Sequence, residues 1–299
     1  MINITEYLEW IYRDFKIQNE QAYLCQLKGL TFESGCLPDY QNIQIQRLYL
    51  LRYAFAYGFE YTTIYAEALE RLHKPDEVSV ASIGCGTFID YWSLVQAIER
   101  RQKIQCKVRY VGIDEIDWSY KFAKRMIDEI YFNQGNAKHF FASNAQFISD
   151  IYFFPKSISE FTAEEMNIMT ENLKNKPIIK DKLILCFSLR ADIANREADL
   201  KKTQQVIDAF KENGFEQKNL NYRFTYFPEN RGIAAYDSQY VYPQQAYDYI
   251  KNLNQKCSKY IEQGANCKNS CSEYLNRSPI LKTGTIFYQL IDLERKRSL

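Results

Sequence analysis

Histidine is nearly absent from this chain: its 299 residues include two, His73 and His139. Neither belongs to a metalloprotease motif, and no Ser/His/Asp hydrolase pattern or Gly-x-x-x-x-Gly-Lys phosphate loop occurs. Net charge is also lacking. At +1, no global field draws the protein toward nucleic acid or an anionic surface. The basic cluster Arg295-Lys296-Arg297 is short and reads as a solvated tail. No run of 18 apolar residues is present, which argues against a transmembrane helix. Met1 to Phe15 carries Glu6, Glu9 and Asp14 among aromatics, with no basic flank ahead of an apolar stretch. No signal peptide is therefore expected. Cysteine motifs are missing too. The eight cysteines are scattered, and Cys25, Cys85, Cys106 and Cys186 fall in apolar elements, as reduced intracellular thiols do. A cytoplasmic location is the expectation. Cys257, Cys267 and Cys271 include no Cys-x-x-Cys pair, and no metal site is expected of them.

What is present is a globular composition, 46% hydrophobic, and a length that allows a large core. Residues 1–76 read as a helical cap region without a strand. Tyr49, Tyr53, Tyr57, Tyr61 and Tyr65 recur every fourth residue, with Leu48, Leu51, Phe55 and Phe59 between them. Residues four apart share a helical face, so this is a long aromatic helix, broken or kinked near Gly58. Its tyrosines pack on the next domain or line a pocket with a flat body and a polar tip. His73-Lys74-Pro75-Asp76 ends it.

From Val78 strands and helices alternate. Strands are expected over 78–83, 107–113, 138–143, 150–154 and 182–188, and helices over 88–103, 117–133, 160–174 and 197–213. Such alternation means a parallel sheet covered on both faces, and its strands read as continuous apolar runs. Leu220 to Phe227 and Thr283 to Leu293 are two further strands. Between them, residues 228–282 form an insertion with a helix from about Pro243 to Gln263. Residues 77–299 make up this second region.

Val78 to Ile83 runs into Gly84-Cys85-Gly86-Thr87, a helical segment follows, and Val108 to Ile113 ends on Asp114. Strand, glycine turn, helix, strand and acid is the layout of a nucleoside-binding unit. Ser82-Ile83-Gly84-Cys85-Gly86-Thr87 resembles the first motif of the class I S-adenosylmethionine-dependent methyltransferases, and Tyr110-Val111-Gly112-Ile113-Asp114 resembles their second. Ser143-Asn144-Ala145 lies where the third motif meets adenine, and the last two strands resemble that fold's antiparallel hairpin. The resemblance covers residues 77–299. It implies a seven-stranded, mostly parallel, doubly wound α/β sheet with a terminal antiparallel hairpin, and S-adenosyl-L-methionine as cofactor. The implied activity is methyl transfer to an unidentified small molecule, protein or RNA. A non-catalytic, cofactor-sensing or partner-binding module is the alternative. Three features depart from the pattern. Ser82 replaces an acid, Phe88 replaces a third glycine, and Gly86 to Asp114 exceeds the usual spacing of about twenty residues.

The candidate cofactor residues are Gly84, Cys85, Gly86, Asp90, Asp114, Glu115 and Asn144. Asp114 would accept from ribose hydroxyls, with Glu115 as a substitute. Asn144 would read the adenine edge. Thr87 and Asp90 form a possible capping box, with Asp90 also placed for the cofactor's cationic end. Asp117 reads as the N-cap of the second helix. Beyond the fourth strand Lys156 and Ser157 face the acceptor. Lys156 is the candidate catalytic group, able to orient an anion or assist deprotonation if desolvated. Arg190 and Asp192 share that rim.

Overall fold

A computed structural model describes residues 3–20, 22–30, 37–73, 75–101, 105–142, 148–190, 192–218, 222–226, 240–264, 274–281 and 285–296. The N-terminal quarter holds α1 (Ile4–Asn19) and α2 (Ile43–Arg71). Asn3 and Glu6 close a capping box on α1, and Asn42 caps α2 by accepting from Gln44 N. α2 is buried around most of its circumference, as expected of a helix packed on several sides. It runs unbroken through Gly58. A Cβ there would sit 2.9 Å from both Ile4 Cδ1 and Trp92 Cζ3. The glycine thus serves a close crossing of α1, α2 and the next helix, where a kink was expected.

The remaining elements are β1 (Glu77–Ile83), α3 (Ile89–Arg100), β2 (Lys107–Asp114), β3 (Glu129–Gln134), β4 (Ile151–Pro155), α4 (Ala163–Lys174), β5 (Lys182–Leu189), α5 (Ile193–Glu212), β6 (Phe215–Gln217), β7 (Tyr222–Tyr226), α6 (Gln244–Lys251), α7 (Ser258–Gln263) and β8 (Thr285–Arg295). The sheet order is β3-β2-β1-β4-β5-β8-β6, with β7 also paired to β8. β1 to β5 are parallel and β8 is antiparallel to β5. β6 pairs with Leu293–Arg295 of β8, and β7 with Thr285–Gln289. Eight strands thus fill seven positions, because the last one is shared end to end.

Side chains alternate between two faces, as a pleated strand requires. Val80, Tyr110, Phe153 and Cys186 join α1, α2 and α3 in one core. Ala81, Ile113, Phe154 and Leu185 join α4 and α5 in the other. No described helix is long and apolar enough to cross a membrane.

Three expectations need correction. No helix forms over 117–133; the chain is irregular from 115 to 128, and β3 follows. α1 covers this segment instead. Tyr7 stacks on Phe122 at 3.8 Å, Trp10 meets Tyr120 at 4.8 Å, and Tyr7 Oη donates to Tyr120 O. Asp117 therefore caps nothing and pairs with Lys121. The strand expected over 138–143 is a 3-10 turn at Ala137–Ala142. The helix expected over 243–263 is divided into α6, a 3-10 turn at Leu253–Lys256, and α7.

Candidate functional site

The carboxyl ends of β1, β2 and β4 meet at the Gly84–Gly86 turn. Gly84 N and Cys85 N both donate to Ile113 O, at 2.9 and 3.1 Å. Gly84 has φ +77°, and a Cβ on it would lie 2.4 Å from Ser157 Cβ. Only glycine takes that backbone and that approach without strain. Ser157 Oγ, in turn, donates to Ile83 O. Gly86 also has positive φ, +54°, and a Cβ on it would come no nearer than 4.0 Å to the Trp118 ring. Phe88 stands in the left-handed region with φ 65°. Its buried ring meets Tyr110 and Phe132 edge-on at 5.5 and 5.8 Å, packing that offsets the backbone strain. Cys85 is buried, and burial pushes its thiol pKa up.

Asp114 closes the turn from β2. Oδ2 accepts from Gly86 N at 2.8 Å; Oδ1 accepts from Ile116 N at 2.9 Å and Trp118 Nε1 at 3.2 Å. Burial raises its pKa, and these donors oppose the rise. Each carboxylate oxygen carries two lone pairs, so acceptor capacity remains. Glu115 follows it, exposed at the mouth. Asp90 does not cap α3, whose N-cap Phe88 makes no side-chain hydrogen bond. It is 1% exposed and accepts from Tyr110 Oη at 2.8 and 2.9 Å and from Tyr65 Oη at 3.2 Å. Burial pushes its pKa up to about 6.

These groups border a cavity of about 450 Å³. Gly84, Cys85, Gly86, Asp90, Asp114 and Glu115 all line it; Asn144 lies outside the described residues. Because β3 comes earlier than expected, the polar residue just after it is Asn136. It lines the cavity and donates to Glu165 Oε1 at 2.9 Å.

Much of the remaining lining is aromatic. Tyr49, Tyr57 and Tyr61 of α2 border the cavity with Tyr40, and Trp118 joins them to the Gly86–Asp114 side. The α2 rings form a ladder: Tyr49–Tyr53 5.2 Å, Tyr53–Tyr57 5.8 Å and Tyr57–Tyr61 5.9 Å between centroids. Tyr40 bridges to Tyr49 and Trp118 at 5.4 and 5.0 Å. Burial pushes the pKa values of Tyr49, Tyr57 and Tyr61 far up, so the wall stays neutral. Their hydroxyls have no hydrogen-bond partner among the described residues.

Lys156 is not on this lining. Its Nζ lies 2.7 Å from Glu60 Oε1 and donates to Leu189 O at 3.1 Å. Glu60, 2% exposed, also accepts from Ser188 Oγ at 2.7 Å. This polar knot ties α2 to the ends of β4 and β5. Arg190 is likewise engaged, with Nη2 2.6 Å from Asp199 Oδ1. Asp192 caps α5 by accepting from Asn195 N.

The sequence reading missed Tyr40, Asn136 and Glu160. Thr162 and Glu165 form the capping box of α4. That legible Thr-x-x-Glu pattern would have placed Glu160 ahead of the helix, in the cavity lining. Glu160 itself is an exposed residue of that lining. Desolvation first, then the charge of Asp114, pushes its pKa up to about 7.

Among the described residues no group of three His, Cys, Asp or Glu is placed to hold a metal. Cys257 is buried as a free thiol; Cys267 and Cys271 lie outside the described residues.

No protein-family model matches the chain, and no curated protein sequence matches it. Among solved structures, the plantazolicin methyltransferase BpumL, in complex with a monoazolic desmethylPZN analog and SAH, is similar at 12% identity and a TM-score of 0.42, over 97% of this chain and 99% of that one. A SAM-dependent methyltransferase from Archaeoglobus fulgidus is similar at 13% identity and a TM-score of 0.38, over 78% and 94%. A TehB-like SAM-dependent methyltransferase from Corynebacterium glutamicum is similar at 12% identity and a TM-score of 0.34, over 52% and 74%.

Proposed function

We propose that this chain binds S-adenosyl-L-methionine at the Gly84–Gly86 turn and transfers its methyl group to an acceptor seated against the tyrosine wall. One observation carries the reading. A glycine turn and an acid, Asp114, meet at the carboxyl ends of adjacent parallel strands, where open α/β sheets bind nucleosides. They do so in a sheet whose β8 runs antiparallel between β5 and β6. The residues suit the cofactor. Gly84 and Gly86 keep side chains out of its path, and Asp114 Oδ2 has one lone pair left for a ribose hydroxyl. Asn136 offers an amide at the position assigned to the adenine edge. The cavity volume falls within the range of roughly 300–1,000 Å³ typical of ligand sites.

Bound there, the cofactor would supply an already activated methyl group, and the protein's task is to hold acceptor and donor in line. Tyr49, Tyr57 and Tyr61 form the acceptor side and exclude water from it. Lys156 is assigned a positioning role, because its charge is neutralised by Glu60. It fixes the β4 end that carries Ser157 against Gly84.

A cofactor-sensing role without catalysis has one observation in its favour: Asp114 already accepts from three protein donors. Isothermal titration with S-adenosylhomocysteine tests the binding claim. Wild type should bind one equivalent, and Asp114→Ala should bind at least about tenfold more weakly while keeping its circular dichroism spectrum. No binding by wild type would remove the proposal. S-adenosylhomocysteine formed from S-adenosylmethionine in the presence of acceptor pools separates catalysis from sensing.

A further inference from the structure

Among the described residues the charged groups bordering the cavity are all acidic: Asp39, Asp90, Asp114, Glu115, Glu160 and Glu165. The nearest cation to the wall, Lys156 Nζ, lies 5.2 Å over the Tyr57 ring and is paired with Glu60. Most of these acids have partners. Asp90 and Asp114 are held as described, Glu165 caps α4 and binds Asn136, and Asp39 accepts from Gln41 N. Glu115 and Glu160 are different: neither carboxylate makes a hydrogen bond or ion pair among the described residues, and of the two it is Glu160 whose charge reaches the tyrosines of the lining. The two cations whose charge reaches Glu160 are occupied. Arg190 forks onto Asp199 at 2.6 and 3.0 Å. Lys202 donates to Ser159 O and Phe161 O at 2.9 and 2.5 Å.

Glu160 shares the cavity with the aromatic wall. The Glu160 charge is felt by Tyr40, Tyr49, Tyr57 and Tyr61, each of whose pKa values it helps to raise. Tyr61 is independent evidence that a ligand belongs here. It is 4% exposed, lines the cavity, and its hydroxyl has no partner among the described residues. Aromatic faces attract cations electrostatically, most strongly when water is excluded. A carboxylate in the same cavity completes a cage for one.

We infer that the methyl acceptor is an organic ammonium ion on an apolar body, seated between the Glu160 carboxylate and Tyr40, Tyr49, Tyr57 and Tyr61. This rests on the methyl-transfer reading and supplies the substrate class that reading lacks. Glu160 gains a second role. An ammonium nitrogen has no lone pair until it loses a proton, and the carboxylate accepts that proton. The freed lone pair then forms the new N–C bond as the C–S bond of the donor breaks, its electrons leaving on sulfur. The products are a methylated ammonium and a neutral thioether, with the released proton on Glu160. A carboxyl group whose pKa lies near 7 suits the transfer.

The test uses the full chain saturated with S-adenosylhomocysteine and three isosteric pairs: benzylammonium and benzyl alcohol, cyclohexylammonium and cyclohexanol, butylammonium and butanol. Titration calorimetry at pH 8 should show the ammonium member of each pair binding about tenfold tighter or more, as a charge-assisted contact implies. Glu160→Gln should erase that preference while S-adenosylhomocysteine binding stays within about threefold. Equal binding within the pairs, or a preference that survives Glu160→Gln, overturns the inference. So does a variant that weakens S-adenosylmethionine relative to S-adenosylhomocysteine and leaves the amines untouched, because Glu160 would then serve the donor's sulfonium. Failure of S-adenosylhomocysteine to bind overturns the methyl-transfer reading alone. The ammonium preference is then read on the free chain.

Discussion

At the carboxyl ends of β1 and β2 the cavity is built from backbone atoms at fixed distances. Along α2 it is built from phenol rings stacked along a helix. The turn has no slack: Gly84 passes against Ser157, and Asp114 holds Gly86 N at 2.8 Å. The tyrosine wall is held by ring packing alone, and its hydroxyls at Tyr49, Tyr57 and Tyr61 have no hydrogen-bond partner among the described residues. A rigid floor suits an invariant ligand such as a nucleoside cofactor, whereas a wall held by packing alone suits the variable one, the acceptor. Mutations should therefore act differently on the two sides.

The largest effect is expected at the floor. Gly84→Ala forces a Cβ into Ser157 at positive φ and should cost about 3 kcal/mol or more, read as a lower urea midpoint with the slope unchanged. If Gly84→Ala is as stable as wild type, the floor is not rigid. Breaking the knot behind the wall comes next. Lys156→Met leaves Glu60 buried beside Ser188 alone and should cost about 2–3 kcal/mol. Adding Glu60→Gln should recover part of that loss, so a double-mutant cycle showing strict additivity would dissolve the knot.

Asp90, between the two sides, sets a pH signature. Its carboxyl is pushed from an ordinary 3.8 up to about 6 by burial. The folded state keeps a proton that the unfolded chain loses earlier. The stability linked to this group is complete below about pH 4 and is lost as pH rises through about 6, on the order of 3 kcal/mol in all. Asp90→Asn should flatten that part of the stability-against-pH curve. The smallest effect belongs to the wall itself: Tyr57→Phe should move stability by no more than about 0.5 kcal/mol and weaken ligands only a few-fold.

The floor was far more legible in sequence than the wall. β1, β4 and β5 are buried on both faces and so write apolar runs, while β2 alternates buried and half-buried residues; Gly84, Gly86 and Asp114 mark where β1 and β2 stop. The tyrosine stripe announced a helix face, but its distance from the glycine turn in sequence hid the fact that Tyr49, Tyr57 and Tyr61 border the same cavity. β3 was illegible for a different reason. It is an edge strand, half exposed, and the aromatic segment before it imitates a helix because α1 takes the place of the expected covering helix. Gly58 misled similarly. A glycine mid-helix signals a kink or a close contact alike, and only Ile4 and Trp92, remote in sequence, decide between them. Glu160 was hidden by extending α4 three residues too far toward the N-terminus.

The central claim is that one cavity serves a nucleoside on its floor and an acceptor on its wall. Hydrogen–deuterium exchange of the whole chain with and without S-adenosylhomocysteine tests it most directly. The account predicts slower exchange at the amides of Gly84 to Ile89 and Asp114 to Trp118, with protection of Tyr40 and its neighbours and little change along α6 and α7. Protection absent from the Gly84–Ile89 turn, or confined to segments away from both sides of the cavity, would contradict it.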